Sequence, residues 1–108
     1  MAIAESLIRK MKESLTKPIV LGNRHEIEFS LRSPQATRIF LAGTFNNWDT
    51  NSLPLKKGKD GIWRIKVKMA PGRYEYKYFV DGVWSQEISS SDVVANPFGT
   101  QNGVISVH

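Results

Sequence analysis

The chain contains no cysteine. That removes a disulfide framework, a thiol nucleophile and a thiolate metal site together. Histidine is nearly as scarce. His25 and the terminal His108 are too few for a histidine-based metal site or a Ser–His–Asp arrangement, so neither metal nor cofactor is expected. No apolar run is long enough for a membrane-spanning helix. The N-terminus lacks the basic region and continuous apolar stretch of a secretory signal, so a cytoplasmic protein is expected. Excess charge is modest too. Of the net +5, residues 1–17 carry four basic and two acidic groups, and the rest is spread along the chain. There is no internal repeat and no low-complexity tract.

What is present is 108 residues at 41% hydrophobic composition, enough for one domain with a core that needs no staple. Residues 2–16 predict an amphipathic helix. Ile3, Leu7, Ile8, Met11 and Leu15 fall on one arc, and Glu5–Arg9 and Glu13–Lys17 are spaced as favourable surface pairs. Pro18 ends it. The chain then divides into this helix (residues 1–18) and a β module (residues 19–108). An apolar arc that has to be covered predicts docking on the module, on a second copy or on a partner protein. It carries no Trp or Phe, which argues against membrane binding.

From Ile19 the period becomes two. Ile27, Phe29 and Leu31 alternate with Glu26, Glu28 and Ser30. Residues 38–43 form a second expected strand, 53–57 a short edge strand and 103–107 a closing one. In 62–69, Trp63, Ile65, Val67 and Met69 alternate with Arg64, Lys66 and Lys68, which marks Trp63 as core. The most informative stretch is Arg73–Trp84, RYEYKYFVDGVW. Asp81-Gly82 between apolar residues signals a type I′ hairpin. Alternation assigns Tyr74, Tyr76, Tyr78 and Val80 to the core and Arg73, Glu75, Lys77 and Phe79 to solvent. Short strands separated by turns predict an all-β, immunoglobulin-like antiparallel sandwich with the added N-terminal helix.

Two tryptophans stand apart from the core pattern. Trp48 lies in a polar loop, GTFNNWDTNS, and Trp84 follows the hairpin turn among polar residues. Either ring covers a core edge or meets a ligand. A sugar fits this combination. Its C–H faces stack on indole, and its hydroxyls need donors and acceptors such as Lys, Asn and Thr.

Three motifs in order, a GxFNxW loop, a YxYKxxVDGxW hairpin and an FGTxN loop, resemble the glycogen-binding carbohydrate-binding modules of family 48. That family includes the early-set domain of isoamylase-type and branching enzymes and the glycogen-binding domain of the AMP-activated protein kinase β subunit. The resemblance covers roughly residues 24–108. It implies an early-set sandwich that binds α-1,4-linked glucans, glycogen or starch, without catalysis. By position it implies stacking by Trp48 and Trp84, a hydroxyl contact by Lys77 and polar contacts by Thr100 and Asn102. Phe98 stands where the kinase module has a leucine that projects into the curved glucan. Asn46 and Asn47 are expected to shape the first loop.

Three other classes compete. A glycosidase needs two facing carboxylates in a cleft, and the ten carboxylates here mostly alternate on solvent faces or sit in turns, with no obvious paired set. Single-stranded nucleic acid could bind if Arg64, Lys66 and Lys68 shared a face with Arg73 and Lys77. A protein-interaction module that has lost sugar binding is the third, and the retention of both loop tryptophans, Lys77 and Asn102 argues against it.

Overall fold

The computed structural model describes residues 18–21, 25–87 and 92–108. The helix expected over 2–16 lies outside them. Among the described residues there are nine strands: β1 (Ile19–Leu21), β2 (Glu26–Arg32), β3 (Ile39–Gly43), β4 (Lys56–Lys57), β5 (Ile62–Lys68), β6 (Gly72–Val80), β7 (Val83–Trp84), β8 (Val93–Ala95) and β9 (Gln101–Val107). They form two antiparallel sheets, β1-β2-β5-β4 and β3-β6-β9-β8, with β7 added to β6. This is the expected sandwich.

The alternation explains the core. Ile27, Phe29, Leu31 and Trp63 from the first sheet meet Ile39, Leu41, Tyr76 and Tyr78 from the second, all buried. Polar tips inside this core are satisfied, as burial requires. Trp63 Nε1 donates to the Ser33 carbonyl at 2.8 Å, and the Tyr78 hydroxyl reaches across to the Ser30 carbonyl at 3.1 Å. Ser30 itself lies on the outer face of β2 by alternation, yet its short side chain is buried opposite Arg64.

Two expected features change. The stretch 53–57 is not one edge strand. Leu41 N donates to the Leu53 carbonyl (2.8 Å), Leu55 N donates to the Ile39 carbonyl (2.9 Å), and only then do Lys56 and Lys57 pair with β5. The segment therefore crosses from the second sheet to the first. The continuous basic face proposed for nucleic acid does not form. Arg64, Lys66 and Lys68 project from β5 in the first sheet, whereas Arg73 and Lys77 project from β6 in the second. Outward faces of opposed sheets point in opposite directions. In the first sheet Arg64 is also tied to Asp60 at 2.7 Å, and its guanidinium holds that carboxyl below the usual carboxylate range.

The β6–β7 hairpin turns as its sequence predicts, with Asp81 at φ 49° and Gly82 at φ 82°. Both central residues of a type I′ turn need positive φ. The Asp81 carboxylate also accepts from Thr37 N (2.9 Å) and Arg38 N (2.7 Å), clamping the turn to the start of β3.

Candidate functional site

β6 is the longest strand, and its two edges are used unequally. β3 covers Tyr76–Val80 along one edge. On the other edge β9 pairs with Gly72–Tyr76 and β7 with Phe79–Val80. The β7 side continues to Tyr78, whose carbonyl accepts from Ser85 N (2.8 Å), and Lys77 lies between the two pairings with its side chain on the outer face. The surrounding groove encloses about 650 Å3 and is lined by Trp48, Lys77, Trp84, Phe98, Thr100 and Asn102, with Thr44, Glu75, Gln86, Asn96 and Pro97 between them. All six residues singled out from sequence line this one groove.

Its aromatic wall comes from two loops. Residues Thr44–Asn46 make a single 3-10 turn, after which Asn47 (φ 55°) and Trp48 (φ 58°) are both left-handed. Asn tolerates this conformation, but a bulky residue does not adopt it without strain. Asn46 holds the loop in place. Its Oδ1 accepts from Gly43 N (3.0 Å), and its Nδ2 donates to the Asp49 carbonyl (3.1 Å) and to Ser52 Oγ (3.0 Å). The Trp48 indole then meets Trp84 edge to face, with centroids 6.2 Å apart and planes at 74°. Trp84 packs against Phe79, its cross-strand neighbour, with centroids 5.1 Å apart, and remains 37% exposed.

The opposite wall is the loop between β8 and β9. Asn96 organises it. The side-chain Oδ1 accepts from Phe98 N (3.0 Å) and Thr100 N (3.2 Å), and Nδ2 donates to Thr100 Oγ1 (2.7 Å) and Asn102 Oδ1 (2.9 Å). Gly99 at φ 80° completes the turn. At its tip Phe98 is 90% exposed, a cost in water unless something covers the ring.

The floor is polar and connected. Lys77 Nζ donates to Thr100 Oγ1 (3.1 Å), Asn102 Nδ2 donates to Glu75 Oε1 (3.1 Å), and Arg73 donates to Glu75 Oε2 (3.2 Å). Lys77 corrects the sequence expectation. It is not a solvated lysine on an open face but a buried one, 8% exposed, because the flanking loops rise over the outer face of β6. Burial lowers its pKa from the ordinary lysine value. Asn102 is buried as well. Thr100 Oγ1 accepts twice, which leaves its O–H, together with the remaining ammonium hydrogens of Lys77, to meet a ligand.

Asn96 and Glu75 line the groove although the sequence motifs do not single them out. Asn96 had a legible signal, since Asn-Pro followed two residues later by Gly is an Asx-type turn. Glu75 had one too, because alternation places it on the face of Lys77. β8 was also missed. Three residues beside a turn carry too little pattern to separate strand from loop.

Among the described residues no group of three His, Asp or Glu side chains could hold a metal ion, and no helix is long and apolar enough to cross a membrane.

Residues 25–108 match the family described as the glycogen recognition site of AMP-activated protein kinase. Among curated proteins, the 5′-AMP-activated protein kinase subunit β-1 of Rattus norvegicus is 30% identical over 99 residues, covering 81% of this chain and 35% of the relative. The Bos taurus β-1 subunit is 32% identical over the same span. The Homo sapiens β-2 subunit is 39% identical over 69 residues, 64% of this chain and 24% of the relative. The chain thus spans about a third of the length of the β-1 relatives it matches.

Proposed function

The chain belongs to the family of glycogen recognition sites of AMP-activated protein kinase, and on that premise we propose that it holds α-1,4-linked glucans such as glycogen or starch in the groove over Lys77, without transforming them. The observation that carries this reading is the crossed pair Trp48–Trp84 facing Phe98 above a polar floor. The two indole planes stand at 74°, so one flat ligand cannot lie on both. A curved chain can, presenting successive rings at different tilts. Lys77, Thr100 and Asn102 then meet its hydroxyls.

Catalysis finds no support in the groove. Among the described residues Glu75 is the one carboxylate lining it and is engaged by Asn102 and Arg73, whereas glycoside hydrolysis uses two. In this reading residues 19–108 are the glucan-holding module and any chemistry on the polymer belongs to other domains. Residues 1–18 join it to a second copy or a partner protein, which light scattering over a wide concentration range tests for self-association.

The deciding experiment for the groove is calorimetry with maltoheptaose, with a β-linked cello-oligosaccharide as control. Binding of the first alone, little affected by salt, supports the reading. Nucleic-acid binding would instead weaken steeply with salt. No heat with any α-glucan removes it.

A further inference from the structure

Trp84 belongs to two surfaces. One is the groove. The other is a row of apolar side chains running across the strands on the outer face of the second sheet. In register, Trp84 lies opposite Phe79, Phe79 opposite Phe40, and Phe40 opposite Pro54. Directly opposed residues share a face, so the four side chains form one line. At about 4.8 Å between neighbouring strands the line is roughly 14 Å long. Pro54 is exposed, Phe40 and Phe79 are half-buried, and Trp84 is exposed at the groove end. Charged groups border it. Arg38 is exposed just before β3, while Lys77, two residues before Phe79 on the same face of β6, is buried at the groove end.

We propose that this row is a second glucan-binding surface, continuous with the groove through Trp84, along which a long α-glucan chain continues toward Pro54. The proposal rests on the reading of the groove as a glucan site. Three features favour this occupant. The row starts on a ring that already lines the groove, so a chain leaving the groove past Trp84 meets it without a gap. It is a strip one side chain wide, far short of the roughly 800 Å2 per partner that a stable protein interface buries. An apolar line with polar groups alongside matches a sugar chain, whose C–H faces alternate with hydroxyl edges.

The consequence is a length dependence. Maltotetraose fills the groove alone, while a linear maltodextrin long enough to pass Trp84 also covers the row. Losing the stacked ring of Phe40 costs on the order of tenfold in affinity for the long chain, which converts to about 1.4 kcal/mol. The test is calorimetry of wild type, Phe40→Thr and Pro54→Ser against both ligands, with a thermal melt of each protein. Threonine suits a strand position, and Pro54 is exposed at the far end, so at least one variant keeps the fold. The expected result is unchanged affinity for maltotetraose and about tenfold weaker binding of the maltodextrin by Phe40→Thr, with a smaller loss in Pro54→Ser. Equal losses for both ligands overturn the proposal, because Phe40 would then act only by supporting Trp84. No loss for either ligand in folded variants also overturns it, and leaves the groove reading standing. Failure of wild type to bind any α-glucan removes the groove reading, and this one with it.

Discussion

Trp48 and Trp84 reach the same groove from separate loops and touch edge to face, with ring planes at 74° and centroids 6.2 Å apart. Each ring therefore holds the other's orientation, and the pair presents two surfaces at nearly a right angle. Neither loop alone makes such a site.

The first prediction follows from that pair. Two stacked rings give roughly 2–6 kcal/mol, and a few hydrogen bonds add about 0.5–1.5 each. Association costs at least about 4 kcal/mol. The net places maltoheptaose between about millimolar and micromolar affinity. Trp48→Ala or Trp84→Ala is expected to weaken binding about tenfold or more, measured by calorimetry. Nanomolar binding by wild type, or unchanged binding by both variants, contradicts it.

The second concerns backbone strain. Trp48 sits at φ 58°, a conformation that costs a residue with a Cβ roughly 1–2 kcal/mol. Glycine escapes this cost. Trp48→Gly is therefore expected to be more stable than Trp48→Ala by about 1 kcal/mol, reversing the usual order of the two residues in structured positions. Denaturant melts of the two variants decide. The opposite order would mean that the loop relaxes when the indole is removed.

The third separates the tryptophans. Trp63 is buried among Leu31, Leu41 and their neighbours and donates to Ser33. Trp63→Ala is expected to cost about 3–5 kcal/mol of stability, a large share of a marginal fold. Trp84→Ala is expected to leave the melting temperature nearly unchanged. Unfolding of the Trp84 variant would make that ring a structural part of the hairpin.

A fourth prediction tests how Asn96 positions the loop. Asn96 holds the Phe98–Thr100 loop through both side-chain atoms. Asn96→Asp keeps the acceptor for Phe98 N and Thr100 N but removes the donor to Thr100 Oγ1 and Asn102. Asn96→Ala removes everything. At about 1 kcal/mol per bond, maltoheptaose affinity is expected to fall in the order wild type, Asp, Ala. An alanine variant that binds like wild type would show that Asn96 does not position the loop.

The fifth concerns pH. Burial lowers the Lys77 pKa below the ordinary 10.5. The unfolded chain then binds this proton more tightly than the folded one, so burial of the charge opposes folding at neutral pH. The penalty is released as pH rises from the folded pKa toward 10.5. Lys77→Met is expected to melt at the same or a higher temperature than wild type at pH 7, with the difference shrinking in alkaline buffer. The same variant is expected to lose much of its glucan affinity. A variant much less stable than wild type at pH 7 would show that the bond to Thr100 outweighs desolvation.

Much of this was legible in the chain itself. Alternation in 26–32, 62–68 and 72–80 set which residues face the core, because a strand's side chains must take opposite sides. Asp81-Gly82 determined its own turn, since few residue pairs accept positive φ twice. The motifs around Trp48, Trp84 and Thr100 named the groove's main side chains. The tertiary structure decided the rest. Lys77 is buried, although alternation turns it outward, because loops distant in sequence rise around it, and no local pattern encodes what another loop will cover. Arg64 and Lys77 face opposite ways because their strands enter different sheets, a choice made by pairing partners and not by either strand. The line from Trp84 through Phe79 and Phe40 to Pro54 exists only through register across β7, β6, β3 and the segment beside it, where residues far apart in the chain are set side by side by backbone hydrogen bonds.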